Sequence, residues 1–137
     1  MARRFFVNPY DPAEIYLLDV DSVHYSNDGG RSWHADKPLH DMLTDNGQYQ
    51  TSCNDTWCVM NDIIFDRNTQ MRFALGIAGV FYSQDGKSWP RLIDPKAMPC
   101  KPRGAWFDPL TDPNDPSLYV ALDGRGILRC HPIPYKP

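Results

Sequence analysis

The 137-residue sequence predicts an all-β fold made of repeated antiparallel units, and three observations carry this prediction. Segments 23–33 (VHYSNDGGRSW) and 80–89 (VFYSQDGKSW) are near copies of each other, which is typical of propellers and other repeat arrays. Thirteen prolines and nine glycines divide the chain into short segments, as frequent turns require. Between these turn residues lie β-rich runs, and no segment has convincing helical periodicity.

A complete unit has four strands joined by three turns, and the third of these turns contains Asp-Gly. Repeat 1 (about 4–37) has strands at 5–9, 15–18 and 23–26, and its fourth strand begins at Ser32 and Trp33. Repeat 2 (about 61–94) has strands at 63–66, 72–75, 80–83 and 88–93. Repeat 3 (about 103–134) has strands at 105–109, 118–122 and 127–130 and lacks the fourth. The chain is therefore one domain, 1–137, of about three four-stranded units.

Two further features complete this assignment. Residues 73–80 align without a gap on 120–127, which extends the internal similarity to repeat 3. A long loop, 38–60, separates repeats 1 and 2, and a single helical turn is expected at 38–43. Trp106 falls on the first strand of repeat 3, so we expect it in the core.

Charge and hydropathy exclude two classes of partner. The net charge is −3 and no basic run exceeds Arg3-Arg4, so we expect neither nucleic acid nor a membrane surface as a partner. The apolar segment near the start ends at Asn8-Pro9, too early for a signal-peptide core, and a cytoplasmic location is the expectation.

The cysteine spacing predicts no metal site and no other cofactor. The four cysteines lack the repeated close pairs typical of zinc ligands, and in a reducing compartment they stay thiols: Cys53, Cys58, Cys100 and Cys130. Cys53 and Cys58 would close a small disulfide loop only in an exported protein.

The two near-identical segments resemble the Asp-box (BNR) repeat, Ser-x-Asp-x-Gly-x-Thr-Trp, which lies between the third and fourth strands of a propeller blade. The first segment matches the motif at Ser26, Asp28, Gly30 and Trp33, and Ser32 stands in place of the threonine. The second segment matches the motif at Ser83, Asp85, Gly86 and Trp89, with one residue fewer in the turn. The resemblance implies a β-propeller of the sialidase- and sortilin-like superfamily.

Elementary turn chemistry explains these residue types without a substrate. A short Asp side chain can accept the N–H groups that a tight turn exposes, and Gly supplies a positive φ. The Trp then covers the hairpin and fills the space beside a neighbouring unit. Asp28 and Asp85 are therefore expected to be structural rather than catalytic.

Three units are too few to close a ring, because the first and last would expose apolar faces to water. Either the chain is a piece of a longer propeller, or copies associate. We expect a homo-oligomer, with a dimer that supplies six blades favoured.

The family resemblance implies a ligand site on the face opposite the Asp-box turns. The weak candidates in the loops of that face are Asp19, Asp21, Asp55, Trp57, Arg103, Asp123 and Arg125. The preferred hypothesis is a non-catalytic module that binds a protein or a glycan there. The loop 38–60 itself is expected to be a solvated polar loop with Trp57 as its packing anchor. The alternative for this loop is a sugar site with Trp57 or Trp106 as a stacking platform.

The alternative is a glycoside hydrolase-like fragment or subunit whose site is completed by oligomerisation. The arginine triad and Tyr nucleophile of a sialidase cannot be assembled on this chain. Two carboxylates for a general glycosidase are conceivable from Asp19 or Asp21 with Asp55 or Asp123. No catalytic residue is assigned.

Overall fold

The computed structural model describes residues 4–19, 22–49, 51 and 59–136. The protein is all-β, with 8% helix and 40% strand. The first sheet contains β1 (Arg4–Val7), β2 (Ile15–Leu18), β3 (Val23–Ser26) and β4 (His34–Ala35) in that order. Each strand pairs antiparallel with the next, so the sheet is a simple meander.

The same meander occurs twice more. The second sheet contains β5 (Asp62–Phe65), β6 (Arg72–Gly76), β7 (Gly79–Ser83) and β8 (Arg91–Ile93). The third sheet contains β9 (Pro102–Asp108), β10 (Ser117–Leu122) and β11 (Gly126–Cys130). No strand follows β11 as far as residue 136, where the described chain ends. The fourth strands begin later than predicted, at His34 and Arg91, directly after or shortly after the Trp of each turn.

Two short helices lie in the connections between sheets. Helix α1 (Lys37–Leu43) follows β4, and a 3-10 helix (Pro95–Ala97) follows β8. The carboxylate of Asp36 caps α1 by accepting the backbone N–H of Leu39 at 3.2 Å. The prediction of a single turn at 38–43 was too short, because α1 completes seven residues and buries Leu39 and Leu43.

The second sheet lies between the other two and is buried on both faces. Neighbouring side chains of a strand point to opposite faces, and Phe73 and Ala74 of β6 are both fully buried. Ala74 belongs to the apolar cluster shared with the first sheet, which includes Tyr16 and Leu18. Phe73 belongs to the cluster shared with the third sheet, which includes Leu118. The core therefore consists of two apolar layers.

In the third sheet the equivalence set by strand register differs by one residue from the gap-free alignment of 73–80 on 120–127. Phe65 pairs with Arg72 in the second sheet, and Phe107 pairs with Leu118 in the third. Tyr119, and not Val120, is thus the counterpart of Phe73. The β10–β11 turn accommodates the difference because it is one residue longer than the β6–β7 turn.

Trp106 was expected in the core, and this prediction was wrong. Its side chain is 72% exposed, on the face of the third sheet that points away from the second. The alternation along β9 explains the result, since the adjacent Phe107 faces the second sheet and is buried.

Candidate functional site

The first turn segment, residues 26–33, is held by its own side chains. One oxygen of Asp28 accepts the backbone N–H of Ser32 at 2.9 Å and the hydroxyl of Ser26 at 2.8 Å. The Ser26 hydroxyl oxygen accepts the backbone N–H of Gly30 at 2.9 Å. The Ser32 hydroxyl bond and then its backbone N–H hold the pKa of Asp28 well below its usual range. The carboxylate is thus committed to this turn.

The second turn segment, residues 83–89, repeats the arrangement. Asp85 accepts the backbone N–H groups of Lys87 at 2.8 Å and Ser88 at 3.1 Å, and these bonds lower its pKa. Ser83 accepts the N–H of Gly86 at 2.8 Å, and Gly86 has a φ of 74°. Both carboxylates therefore accept backbone N–H groups of their own turns, which is the chemistry of a turn cap.

The tryptophans of the two turns have different surroundings. Trp89 is 2% exposed and lies edge-on to Tyr16 of the first sheet, with the ring centroids 5.9 Å apart. Trp33 is 36% exposed on the outer face of the first sheet, where it contacts Phe5. Its indole N–H donates to the carbonyl of Gly30 at 3.0 Å. Trp89 therefore joins two sheets, whereas the contacts of Trp33 with described residues, Phe5 and Gly30, lie within its own sheet.

The opposite end of the sheets, which we call the connection end, carries the β2–β3, β6–β7 and β10–β11 turns and the two helical connections. Its centre is the β6–β7 turn, bounded by Gly76 and Gly79. A Cβ at Gly76 would overlap the carbonyl oxygen of Val59, and one at Gly79 would overlap that of Ile93. The turn is thus held between the two connections, and a cleft opens on each side of it.

Cleft 1 has a volume of about 470 Å³ and lies between the second and third sheets. Its walls are mostly apolar, and prolines make up part of them because this connection is proline-rich. The lining consists of Ile77, Pro95, Met98, Pro99, Cys100, Lys101, Pro102 and Asp123. Proline fixes φ, so this wall is stiff before any ligand arrives.

A cluster of charges, Lys101, Arg103 and Asp123, stands at the edge of cleft 1. The Asp123 carboxylate lies 3.3 Å from the Arg103 guanidinium and 3.9 Å from the Lys101 ammonium. The Lys101 side chain is mostly buried, while those of Arg103 and Asp123 are about half exposed. Among the described residues, two cations and one carboxylate meet at this edge.

Cleft 2 has a volume of about 450 Å³ and lies on the other side of the β6–β7 turn. It is more polar than cleft 1, and it is lined by Asp45, Tyr49, Ala78, Arg91, Asp94, Pro95 and Lys96. Arg91 approaches Asp45 at 4.0 Å. Asp94 caps the 3-10 helix by accepting the N–H of Lys96 at 2.8 Å. Two carboxylates, two cations and one aromatic ring therefore surround this space.

The structure brings together some of the sequence-predicted candidates and separates others. Arg103 and Asp123 meet at cleft 1, and exposed Arg125 occupies the same β10–β11 turn as Asp123. Asp19 lies in the β2–β3 turn of the first sheet and lines neither cleft. The remaining candidates, Asp21, Asp55 and Trp57, lie outside the described residues.

Sequence reasoning missed the residues of cleft 2 almost entirely. Asp45 falls in the long loop 38–60, Arg91 in the predicted strand 88–93 and Asp94 at the end of repeat 2, and the sequence assigned no role to any of them. One signal was present: Asp94-Pro95 is a helix-start pattern, with a capping carboxylate followed by proline. That pattern predicts a turn of helix here, and hence a concave junction beside the β6–β7 turn.

Comparison with known proteins assigns no family to the chain. No protein-family model matches it, and a search of curated proteins finds no significant similarity. Within the described residues, no helix is long and apolar enough to cross a membrane, and no cluster of three or more His, Cys, Asp or Glu side chains could hold a metal ion. Cys100 and Cys130 are free thiols, whereas Cys53 and Cys58 lie outside the described part of the chain.

Proposed function

We propose that the three stacked sheets are blades of an Asp-box β-propeller and that the chain is a non-catalytic binding module. Two observations support the architecture. Each sheet is an antiparallel meander stacked face to face on the next, as blades are. The two turn segments, residues 26–33 and 83–89, occupy the same position between the third and fourth strands of their sheets.

Cleft 1 supports a protein ligand. Its stiff apolar wall can accept an aliphatic side chain, and the half-exposed guanidinium of Arg103 beside it can pair with a carboxylate. A peptide segment that carries an apolar residue next to a carboxylate matches both parts. This pairing of an apolar slot with a half-exposed guanidinium is the single observation on which the proposed function rests.

The roles of the cluster follow from its geometry. Asp123, which lines the cleft, lies 3.3 Å from the Arg103 guanidinium, and a ligand carboxylate would bind further N–H groups of the same guanidinium. Lys101, which is mostly buried, acts mainly through its charge. Loss of Arg103 should therefore weaken binding more than loss of Asp123.

Cleft 2 favours a second candidate, a glycan site of the glycoside hydrolase type. Tyr49 could stack on a sugar ring, Arg91 and Lys96 could donate to hydroxyl groups, and Asp45 with Asp94 provides two carboxylates. Both carboxylates already have partners, Arg91 and the Lys96 N–H, so we rank this candidate second.

One selection experiment distinguishes the two candidates. A displayed library of random peptides is selected on the immobilised protein, and the same protein is applied to a glycan array and to a panel of chromogenic glycosides. We expect enriched peptides with an acidic residue beside an aliphatic one. Their affinity should fall on the order of tenfold or more in Arg103→Ala, because a charge-assisted hydrogen bond is lost.

Asp112→Ala is the matched control, since it removes a charged side chain from an exposed turn at the other end of the sheets. It should bind the selected peptides like the parent. Glycan binding abolished by Tyr49→Ala, or hydrolysis abolished by Asp45→Asn, would establish the second candidate instead. Failure of all three screens would reject the binding function.

A further inference from the structure

The register between the first two strands makes the three sheets equivalent residue by residue up to the shift at Ala121/Leu122 in the third sheet. In each sheet one pair joins the last apolar residue of the first strand to a residue of the second strand: Val7 with Ile15, Phe65 with Arg72, and Phe107 with Leu118. In each sheet the residue that directly follows the last apolar residue caps the turn by accepting a backbone N–H group. These capping residues are Asn8, Asp66 and Asp108. The equivalence is thus fixed both by pairing and by side-chain chemistry.

Each sheet has one face that points towards the sheet that follows it in the chain, and we call this its forward face. Tyr16 and Phe73 are equivalent forward-face residues, and both are fully buried between sheets. Their counterpart in the third sheet, Tyr119, is 37% exposed. The forward face of the third sheet also exposes Trp106, at 72%, and Ile127, at 73%. This sheet therefore presents an apolar forward face that nothing in the described chain covers.

The opposite, backward face shows the complementary pattern. In the second sheet the backward-face residues Ile63 and Trp89 are 4% and 2% exposed, because they pack on the first sheet. Their counterparts in the first sheet, Phe5 and Trp33, are 60% and 36% exposed. The first sheet thus carries the same kind of face that already packs on a forward face inside the molecule.

We propose that the backward face of the first sheet binds the forward face of the third sheet in a second copy of this chain. Trp33 of one copy would then cover Tyr119 of the other, as Trp89 covers Tyr16 within one copy. Such a contact continues the two internal interfaces, which repeat the same forward-to-backward contact in one direction along the chain. This contact follows from strand register and exposure, and not from the ligand of cleft 1.

The contact is head-to-tail, so each copy uses two different faces. When the rotation closes after two copies, the result is a two-fold symmetric dimer with six sheets and no exposed apolar face. A dimer formed by two identical faces would leave the other pair of apolar faces in water. The occupant that removes both exposed faces at once is therefore a second copy of the chain in head-to-tail contact.

Analytical ultracentrifugation of the 137-residue chain tests the proposal. We expect a species of twice the 15.7 kDa chain mass at micromolar concentrations. Phe5→Arg alters only the backward face and Tyr119→Glu only the forward face, and each should sediment as a single chain. Both residues are exposed, and the far-ultraviolet circular dichroism of each variant should match that of the parent.

Mixing the two variants is the decisive step. One contact of the mixed pair is unchanged, and the other places the introduced arginine opposite the introduced glutamate, so the dimer mass should return. Leu110→Glu is the control, because Leu110 is 68% exposed but lies in the β9–β10 turn. It should remain a dimer. A parent chain that stays a single chain at 100 µM would overturn the proposal, and so would a Tyr119→Glu variant that dimerises by itself.

Discussion

Glu14, which directly precedes β2, and Arg72, the first residue of β6, form an ion pair across the boundary between the first and second sheets. The Glu14 carboxylate also accepts the amide of Asn8 and the hydroxyl of Tyr16, each at 3.1 Å. Arg72 donates further to the backbone carbonyl of Gln84, in the second turn segment, at 3.1 Å. Both side chains are largely buried. The network thus links both sheets to the second turn segment.

Removing one partner of this pair should destabilise the protein strongly. Glu14→Gln leaves the Arg72 guanidinium buried without a counter-charge, and we expect the free energy of unfolding to fall by roughly 3 kcal/mol. Chemical denaturation at pH 7, followed by tryptophan fluorescence, measures the change. The double variant Glu14→Leu with Arg72→Met should lose less than the sum of the single losses, since an apolar pair avoids the unpaired charge. Additive losses would contradict a coupled pair.

The same pair predicts how stability depends on pH. Burial raises the pKa of Glu14, but the hydrogen bonds and charge of Arg72 outweigh burial, and the folded-state pKa lies below the ordinary value of 4.5. Since the folded pKa is depressed, the contribution of Glu14 is fully present above about pH 4.5 and is lost as pH falls through the folded pKa. Stability of the parent should therefore decline below about pH 4.5.

Glu14→Gln provides the control for this dependence. Asp36 and Asp62 have pKa values raised by burial, and their protonation has the opposite effect on stability. Both residues remain in the variant, so the difference between the two proteins isolates Glu14. We expect the stability gap to shrink as pH falls from 5 to 3. A gap of constant size would show that Glu14 acts through packing instead of charge.

The strands could be predicted because alternation and turn residues are local signals. Helix α1 was predicted as a single turn at 38–43 because the segment is too short to show clear helical periodicity. Pro38 is compatible with the longer helix, since proline is tolerated in the first turn. The spacing of Leu39 and Leu43 was the signal for a second turn. The exposure of Trp106 could not be predicted, since it depends on whether another sheet covers the third one.

The candidate site was predictable only where its residues share one turn or one sheet edge. Arg103 lies on β9, and Asp123 directly follows the paired strand β10, so their proximity follows from local pairing. Asp45 and Arg91 come from different connections, and only the stacking of sheets brings them together. Glu14 and Arg72 are 58 residues apart and gave no signal for the same reason.

Trp89 and Trp33 should differ in their contribution to stability despite their matching motifs. Trp89→Ala would leave a cavity beside Tyr16, and we expect a loss of about 3 kcal/mol. Trp33→Ala, measured below the concentration at which copies associate, should cost only about 1 kcal/mol because the ring contacts one sheet. Thermal and chemical denaturation provide both values. Equal losses at low concentration would show that Trp33 is also buried in the single chain.

A refinement concerns the indole nitrogen of Trp89. It is buried and has no hydrogen-bond partner among the described residues. Trp89→Phe should therefore recover part of the stability lost in Trp89→Ala, since the phenyl ring fills part of the space and carries no unsatisfied donor. If Trp89→Phe is as unstable as Trp89→Ala, neither the partial filling by the phenyl ring nor the loss of the unsatisfied donor stabilises this position.

Any side chain at Gly76 should destabilise the protein and also weaken ligand binding in cleft 1. A Cβ at Gly76 would overlap the carbonyl oxygen of Val59 and approach Leu43 within 3.3 Å. Because backbone cannot yield as a flexible side chain does, Gly76→Ala should cost roughly 3 kcal/mol and displace the β6–β7 turn that forms one wall of the cleft.

Gly104→Ala is the matched control, since no atom lies within 4 Å of its added methyl group and its φ is not positive. Denaturation and peptide affinity measured on both variants test the point: Gly76→Ala should lose stability and peptide binding together, while Gly104→Ala should keep both. Full binding by a folded Gly76→Ala protein would show that the wall of cleft 1 does not depend on this turn.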